Sequence, residues 1–336
     1  MKKATIVTTA ASFLAVCLLL LTAGPVCADV EDHLAKSFEA APGGQLVVEA
    51  DRGSIEVKTA DTSTVQIEVS REAKGSEAKA KKILADHVIT FSQNGGQVSV
   101  KAEYKGPKVT GWFGNSVQFN VRYQITVPRK FDANLKTAGG HIEVNRLTGK
   151  LQAHSSGGHL TFGTIEGPVN AHTSGGNITL EGCKGTVDLH TSGGSLKLSS
   201  IEGDVAAKTS GGSIRAENLT GKSVVKTSGG SITVADIHGS IDAGTSGGSI
   251  TVTLAEQPAA DCSFKTSGGS ITLALNGRIA ADVDLHTSAG RVSTDLPVVS
   301  VVQGEHDKSR LRGKVNGGGP LITAHTSGGN VRLEKK

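Results

Sequence analysis

Over most of the chain, apolar and polar residues alternate in short bursts, and each burst stops at glycine. The stretch from Thr227 to Gly244 shows the unit. Ile232 and Val234 alternate with Ser231 and Thr233, Ile237 follows after a bend, Gly239 marks a turn, and Ile241 and Ala243 then flank Asp242. Period-two alternation broken by glycine predicts two short half-buried strands joined by two turns. The glycine pair Gly229-Gly230 is expected to supply backbone shapes with positive φ.

The unit recurs. Thr137-Ala-Gly-Gly140, Ser155-Ser-Gly-Gly158 and Thr173-Ser-Gly-Gly176 are followed by tetrads at Thr191, Thr209, Thr227 and Thr245, each 18 residues after the last. Further tetrads begin at Thr266 and Thr287 (the latter Thr-Ser-Ala-Gly), after steps of 21, and at Thr326, after a step of 39. A second glycine turn recurs at Gly149, Gly167, Gly185, Gly203 and Gly221. One such unit buries too little to fold alone, but stacked units bury continuous aliphatic columns and pair strand to strand. The expected fold is therefore all-β: a single-stranded, flattened β-solenoid with 18-residue coils. A β-propeller, the rival repeat architecture, needs longer blades with aromatic signatures.

The flanks are less regular. Residues 45–50, 53–58, 64–70, 98–103 and 117–127 read as strands and residues 76–87 as a helix. Residues 104–117, with Tyr104, Trp112 and Phe113, read as a loop, and residues 296–303 as an inserted strand. Three parts are expected: a leader over 1–28, an irregular β-rich N-terminal cap with one short helix over 29–130, and regular coils over 131–336.

Composition supports this division. Glycine accounts for 44 of 336 residues and aromatics for 3%, so the core must be built from Ile, Val, Leu and Ala. Lys2 and Lys3, the apolar run Phe13 to Leu21 and the small-residue pattern Val26-Cys27-Ala28 predict a secretory signal and hence an exported chain, periplasmic or at the cell surface. No further membrane-spanning stretch is expected in the mature chain. Losing that leader takes two of the 35 basic side chains and none of the 31 acidic ones. The near-neutral remainder carries no footprint for nucleic acid. Cys183 and Cys262 remain and fall four coils apart, roughly 19 Å at strand spacing. That is beyond disulfide reach, so both are expected as small buried side chains.

The segment Val121-Arg-Tyr-Gln-Ile-Thr-Val-Pro128, then Leu135-Lys-Thr-Ala-Gly-Gly-His-Ile142, the Thr-Ser-Gly-Gly-Ser-Ile series and Gly317-Gly-Gly-Pro320 resemble the bacterial putative-adhesin family of β-strand-repeat proteins. The resemblance spans about residues 38–334. It implies the solenoid fold and an adhesin-like role, and it offers no catalytic residue to carry over.

Candidate chemistry lies on the outward columns. The position before each tetrad holds Lys136, His154, His172, His190, Lys208, Lys226, Gly244, Lys265, His286 and His325, and two residues earlier stand Gln152, Asn170 and Asp188. His154, His172, His190, Asn170 and Asp188 are thus expected to form one polar patch. Stacked histidines raise Zn²⁺ or Cu²⁺ binding as a possibility, but lysines in the same column point to an ordinary solvated face, and neither metal nor cofactor is expected. Asp188, Asp242 and Asp284 share a column several coils apart, with none of the clustered carboxylates that glycoside chemistry needs. Ala216-Glu-Asn-Leu-Thr-Gly-Lys-Ser223 approximates a phosphate-binding loop but lacks its first glycine. Ser231/Thr233, Ser249/Thr251 and Ser270/Thr272 form hydroxyl rungs of the kind ice-binding faces use, interrupted in the same column by Glu143, Lys197, Arg215 and Arg332. The expected function is a non-catalytic, adhesin-like scaffold for a polysaccharide or surface protein. A carbohydrate-active solenoid enzyme and an envelope-stress accessory protein are the alternatives.

Overall fold

The computed structural model describes residues 28–107, 118–300 and 308–336. The expected leader (except Ala28), Trp112, Phe113 and the end of the predicted 296–303 strand lie outside the described residues. The fold is the expected solenoid. Two sheets, of 14 and 15 strands among the described residues, face each other across one aliphatic core. In each coil the strand entering a tetrad belongs to one sheet, here the upstream sheet, and the strand leaving it to the other, the downstream sheet. Pairing between regular coils is parallel and in register, as in Leu151 beside Val169 beside Val187.

The downstream strands from Ile142–Thr148 to Ile232–Ile237 break their alternation once, whereas Ile250–Leu254 and Ile271–Leu275 keep it. Leu196 and Leu198 point inward, Ser199 and Ser200 do not, and Ile201 is buried again. In three of them the break lies at a left-handed residue, with φ of 51° at Ser200, 55° at Asn218 and 51° at Asp236. Asn and Asp tolerate this conformation better than most side chains. It turns Ile201, Leu219 and Ile237 back to the core before the second glycine turn.

The tetrad works differently from the expectation. Its glycines do not have positive φ; that conformation belongs to the second turn, where Gly149, Gly167, Gly185, Gly203 and Gly221 lie between 114° and 152°. The last tetrad glycine is required by close approach instead. A Cβ on Gly194 would stand 1.9 Å from the carbonyl oxygen of Gly176 in the coil below. The third position is roomier: a Cβ on Gly193 would meet nothing nearer than 3.6 Å, and one tetrad does carry Ala289 there.

The leading hydroxyl closes the turn in two directions. Thr191 Oγ1 donates to the Gly176 carbonyl of the coil below at 2.9 Å and accepts from the Gly194 N–H of its own turn at 3.3 Å. The same donation runs from Thr137, which donates to Gly53, to Thr326. These hydroxyls are buried, so each satisfies backbone groups that water cannot reach.

The ends do not follow chain order. The strands Leu321–Thr326 and Val331–Lys335 enter between Cys262–Thr266/Ile271–Leu275 on one side and Ala281–Thr287/Val292–Thr294 on the other. The tetrad at Thr326 therefore stands between those at Thr266 and Thr287. At the other end Gln45–Ala50 and Ser54–Ala60 lie between Gln97–Tyr104/Gln118–Pro128 and Asp132–Thr137/Ile142–Thr148. In both places the first or last coil is held between two others.

Antiparallel strands finish the stack. Ala28–Glu39 pairs with Thr64–Gly75, which pairs with Gln118–Pro128, and His87–Asn94 pairs with Gln97–Tyr104. Neither Ala28–Glu39 nor His87–Asn94 was expected as a strand. The expected helix forms as Glu77–Asp86, with Ala80 and Leu84 buried against Ala73, Val30 and Phe119.

Candidate binding face

The outward face of the upstream sheet carries the predicted polar patch. Register places Lys136, His154, His172, His190 and Lys208 in one column, and Asn134, Gln152, Asn170 and Asp188 in the next. The His154 and His172 rings stack 5.1 Å apart at 3°, and those of His172 and His190 4.8 Å apart at 4°. These separations are the strand spacing itself. Burial pushes the His172 imidazole below the usual histidine pKa, and its neighbours His190 and His154 add to the shift.

All five predicted residues thus share one face. A zinc ion needs each ligand nitrogen at about 2.0–2.1 Å, and parallel rings one rung apart do not converge on a common point. Among the described residues no group of three or more His, Cys, Asp or Glu side chains is placed to hold a metal ion.

Two hollows adjoin the column. One, of about 380 Å³, runs beside it and is lined by Lys150, Pro168, Asn170, Asp188, Ala206 and Lys222 among others. The side chains past Asp188 in that column shorten to Ala206 and Val224. The other, of about 310 Å³, lies at the capped end against Glu49, Lys101, Lys136 and His154. Several acids on this face are already engaged. Asp132 Oδ1 accepts from the Lys150 N–H, Asp204 Oδ1 accepts from the Lys222 N–H, and Asp242 accepts from Lys226 Nζ at 2.6 Å. Asp284 accepts from Arg312 and Arg310, which hold its carboxyl below the usual range.

The serine rungs have another use. Ser231 Oγ accepts from the Ser249 N–H, and Ser249 Oγ from the Ser270 N–H, each at 3.2 Å. This ladder starts at His141, whose Nδ1 accepts from the His159 N–H, and passes through Asn177 to Ser195. It ends where Asn330 Oδ1 accepts from the Arg291 N–H. Except for Arg291 after the Thr287 tetrad, which ends the ladder, the residue after each tetrad is therefore a backbone acceptor rather than a free hydroxyl. The sequence signal was available: that position is held by short acceptors or histidine from His141 to Ser270 and again at Asn330. The phosphate-loop lookalike is likewise structural, since Gly221 is a turn with φ of 114° and the strand Ser223–Lys226 follows it.

The sequence reading missed a polar cluster inside the cap. His87 is buried, and its Nε2 lies 3.2 Å from Asp51 Oδ1. Arg71 is paired with Asp32 and donates to the Leu84 and His87 carbonyls, tying strand to helix end. Burial lowers the His87 pKa, though Asp51 opposes the shift. An open hollow of about 640 Å³ nearby has walls of both signs, including Arg52, Arg122, Glu31 and Glu72.

Comparison with known structures finds relatives of matching extent but low identity. A putative adhesin from Bacteroides fragilis NCTC 9343 is 14% identical over 91% of this chain and 97% of that one, with a TM-score of 0.37. One from Parabacteroides distasonis ATCC 8503 is 12% identical over the same shares, at 0.39. A putative cell adhesion protein from Clostridium sporogenes ATCC 15579 is 10% identical over 91% of this chain and all of the other, at 0.22. Superpositions of that quality carry no argument about function. No curated protein matches. The family model described as Toastrack DUF4097 matches residues 44–334, nearly the whole solenoid with both intercalated ends, and the chain belongs to that family.

Proposed function

We propose that this protein is an exported, non-catalytic, adhesin-like scaffold that binds a cell-envelope or extracellular polymer along its upstream face. The observation that carries the reading is the alignment of polar side chains there. Residues 18 apart stand one rung apart over a rigid core, so a repeating ligand meets a repeating surface. Export is supported by the basic and apolar pattern of residues 1–28. Among the described residues no helix is long and apolar enough to cross a membrane. Aromatics are few, which favours distributed polar contacts over ring stacking against sugars.

The test is retention of purified envelope polysaccharides and whole cells on the immobilised protein. Binding is expected, with loss when His154, His172 and Asn170 are replaced together by alanine. Retention of nothing would overturn the proposal. Cleavage products from an acidic polysaccharide, abolished by Asp188→Asn, would replace it with a carbohydrate-active enzyme.

A further inference from the structure

The column on the upstream face is a ridge of one kind of chemistry. From Lys136 through His154, His172 and His190 to Lys208, every rung offers a cation or a group that becomes one. Glu49 bounds the ridge at the capped end. Lys226, the next rung, donates to Asp242 and closes it at the other.

The groups around it are few. On one side stand Gln152, Asn170 and Asp188, with the hollow beyond them. On the other are the tetrad serines Ser156, Ser174 and Ser192. Lys150, Asp204 and Lys222 are more distant, at the turn edge, and the Asp204 carboxylate is fixed there by the Lys222 N–H. Among the described residues the acids beside the imidazoles therefore include Asp188 and, sharing a hollow with His154 at the capped end, Glu49 and Glu103.

We propose that this ridge binds an acidic polysaccharide with a carboxylate on each sugar, laid along the stack axis, and that protonation of His154, His172 and His190 sets the affinity. The inference rests on the polymer-binding reading above and deepens it. The rings repeat every 4.8–5.1 Å, a length close to one pyranose ring along a chain, so a polyuronate laid along the stack advances by one sugar per rung and the carboxylates on its facing side meet imidazoles. The adjoining amides of Gln152 and Asn170 can donate to ring hydroxyls. A single nucleic-acid strand fits less well, because its bases need aromatic platforms, and the ridge has none beyond the imidazoles themselves.

Protonation of His172 is unfavourable without a ligand. The three rings stand face to face, and repulsion from His154 and His190 helps to hold His172 neutral. A polyanion reverses the balance, since each carboxylate stabilises the imidazolium beneath it. Binding therefore takes up protons, and affinity rises as pH falls through about 6.5, the ordinary histidine pKa.

The experiment measures binding of polygalacturonate at low salt at pH 7.5 and 5.5. Dextran serves as the neutral polymer and single-stranded DNA as the other polyanion. Wild-type protein is expected to bind polygalacturonate at least about tenfold more tightly at pH 5.5, as linked protonation requires, and to prefer it to both other polymers. H154Q/H172Q/H190Q is expected to melt as wild type does at pH 7.5 and to lose the pH dependence. K136Q/K208Q is expected to bind more weakly at both pH values and to keep it. Equal affinity at both pH values, a triple variant that keeps the wild-type ratio, or equal binding of DNA would overturn the inference. If dextran or native envelope polymers are still retained in that case, the scaffold reading stands alone. If no polymer binds at either pH, both fall.

Discussion

At the residue scale, the tetrad divides its labour among its positions. The hydroxyl is there because a buried carbonyl and a buried N–H must both be satisfied. The last glycine is there because two backbones pass too closely for a Cβ. The third position is not forced by space. Two substitutions in one turn separate these roles. Gly194→Ala sets a Cβ against the Gly176 carbonyl at 1.9 Å and is expected to cost more than about 3 kcal/mol, above the common range for overpacking because backbone must move. Gly193→Ala, whose Cβ has ordinary room, is expected to stay within about 1 kcal/mol of wild type. Urea denaturation checks both, and equal costs would refute the division.

At the scale of the element, the intercalated ends are the main departure from a simple stack. A solenoid that grew in chain order would shed its last coil without disturbing the others, because each repeat contacts only its neighbours. Here the last coil is an interior layer. Leu321–Thr326 pairs with Cys262–Thr266 on one side and Ala281–Thr287 on the other. Removing residues 320–336 is therefore expected to free the whole segment from residue 277 onward, in addition to the deleted strands. Limited proteolysis should then cut between residues 281 and 294, where the full chain resists. A truncated protein as resistant as the full chain would contradict the pairing order.

For the molecule as a whole, the three histidines with shifted pKa values among the described residues point the same way. Burial depresses His87 and His325, and burial with neighbouring imidazoles depresses His172. A depressed folded pKa means the fold favours the neutral ring. That contribution is complete above the unfolded pKa of about 6.5 and is lost as pH falls through the folded values. The melting temperature is expected to fall between pH 7 and 5. His87 should contribute most, because it is buried and its Nδ1 faces no protein acceptor. Thermal melts of His87→Gln should start lower at pH 7.5 and vary less with pH. A wild-type melt that rises on acidification would show the sign to be wrong.

Much of this protein could be read from its sequence by counting, because a repeat of 18 forces equivalent residues onto one column whatever the details of the coil. The paired sheets, the aliphatic core, the buried Cys183 and Cys262 and the shared face of His154, His172, His190, Asn170 and Asp188 all follow from periodicity. Other features depend on contacts between residues far apart in the chain. The close approach behind Gly194, the serine ladder beneath an apparently free hydroxyl row, and the Asp51–His87 pair in the cap are of this kind. The order of the coils was hidden for the same reason. The tetrad at Thr326 follows that at Thr287 in sequence but stands before it in the stack. A strand's alternation specifies which face it buries and says nothing about which neighbour it pairs with; that choice is made only when the whole sheet assembles.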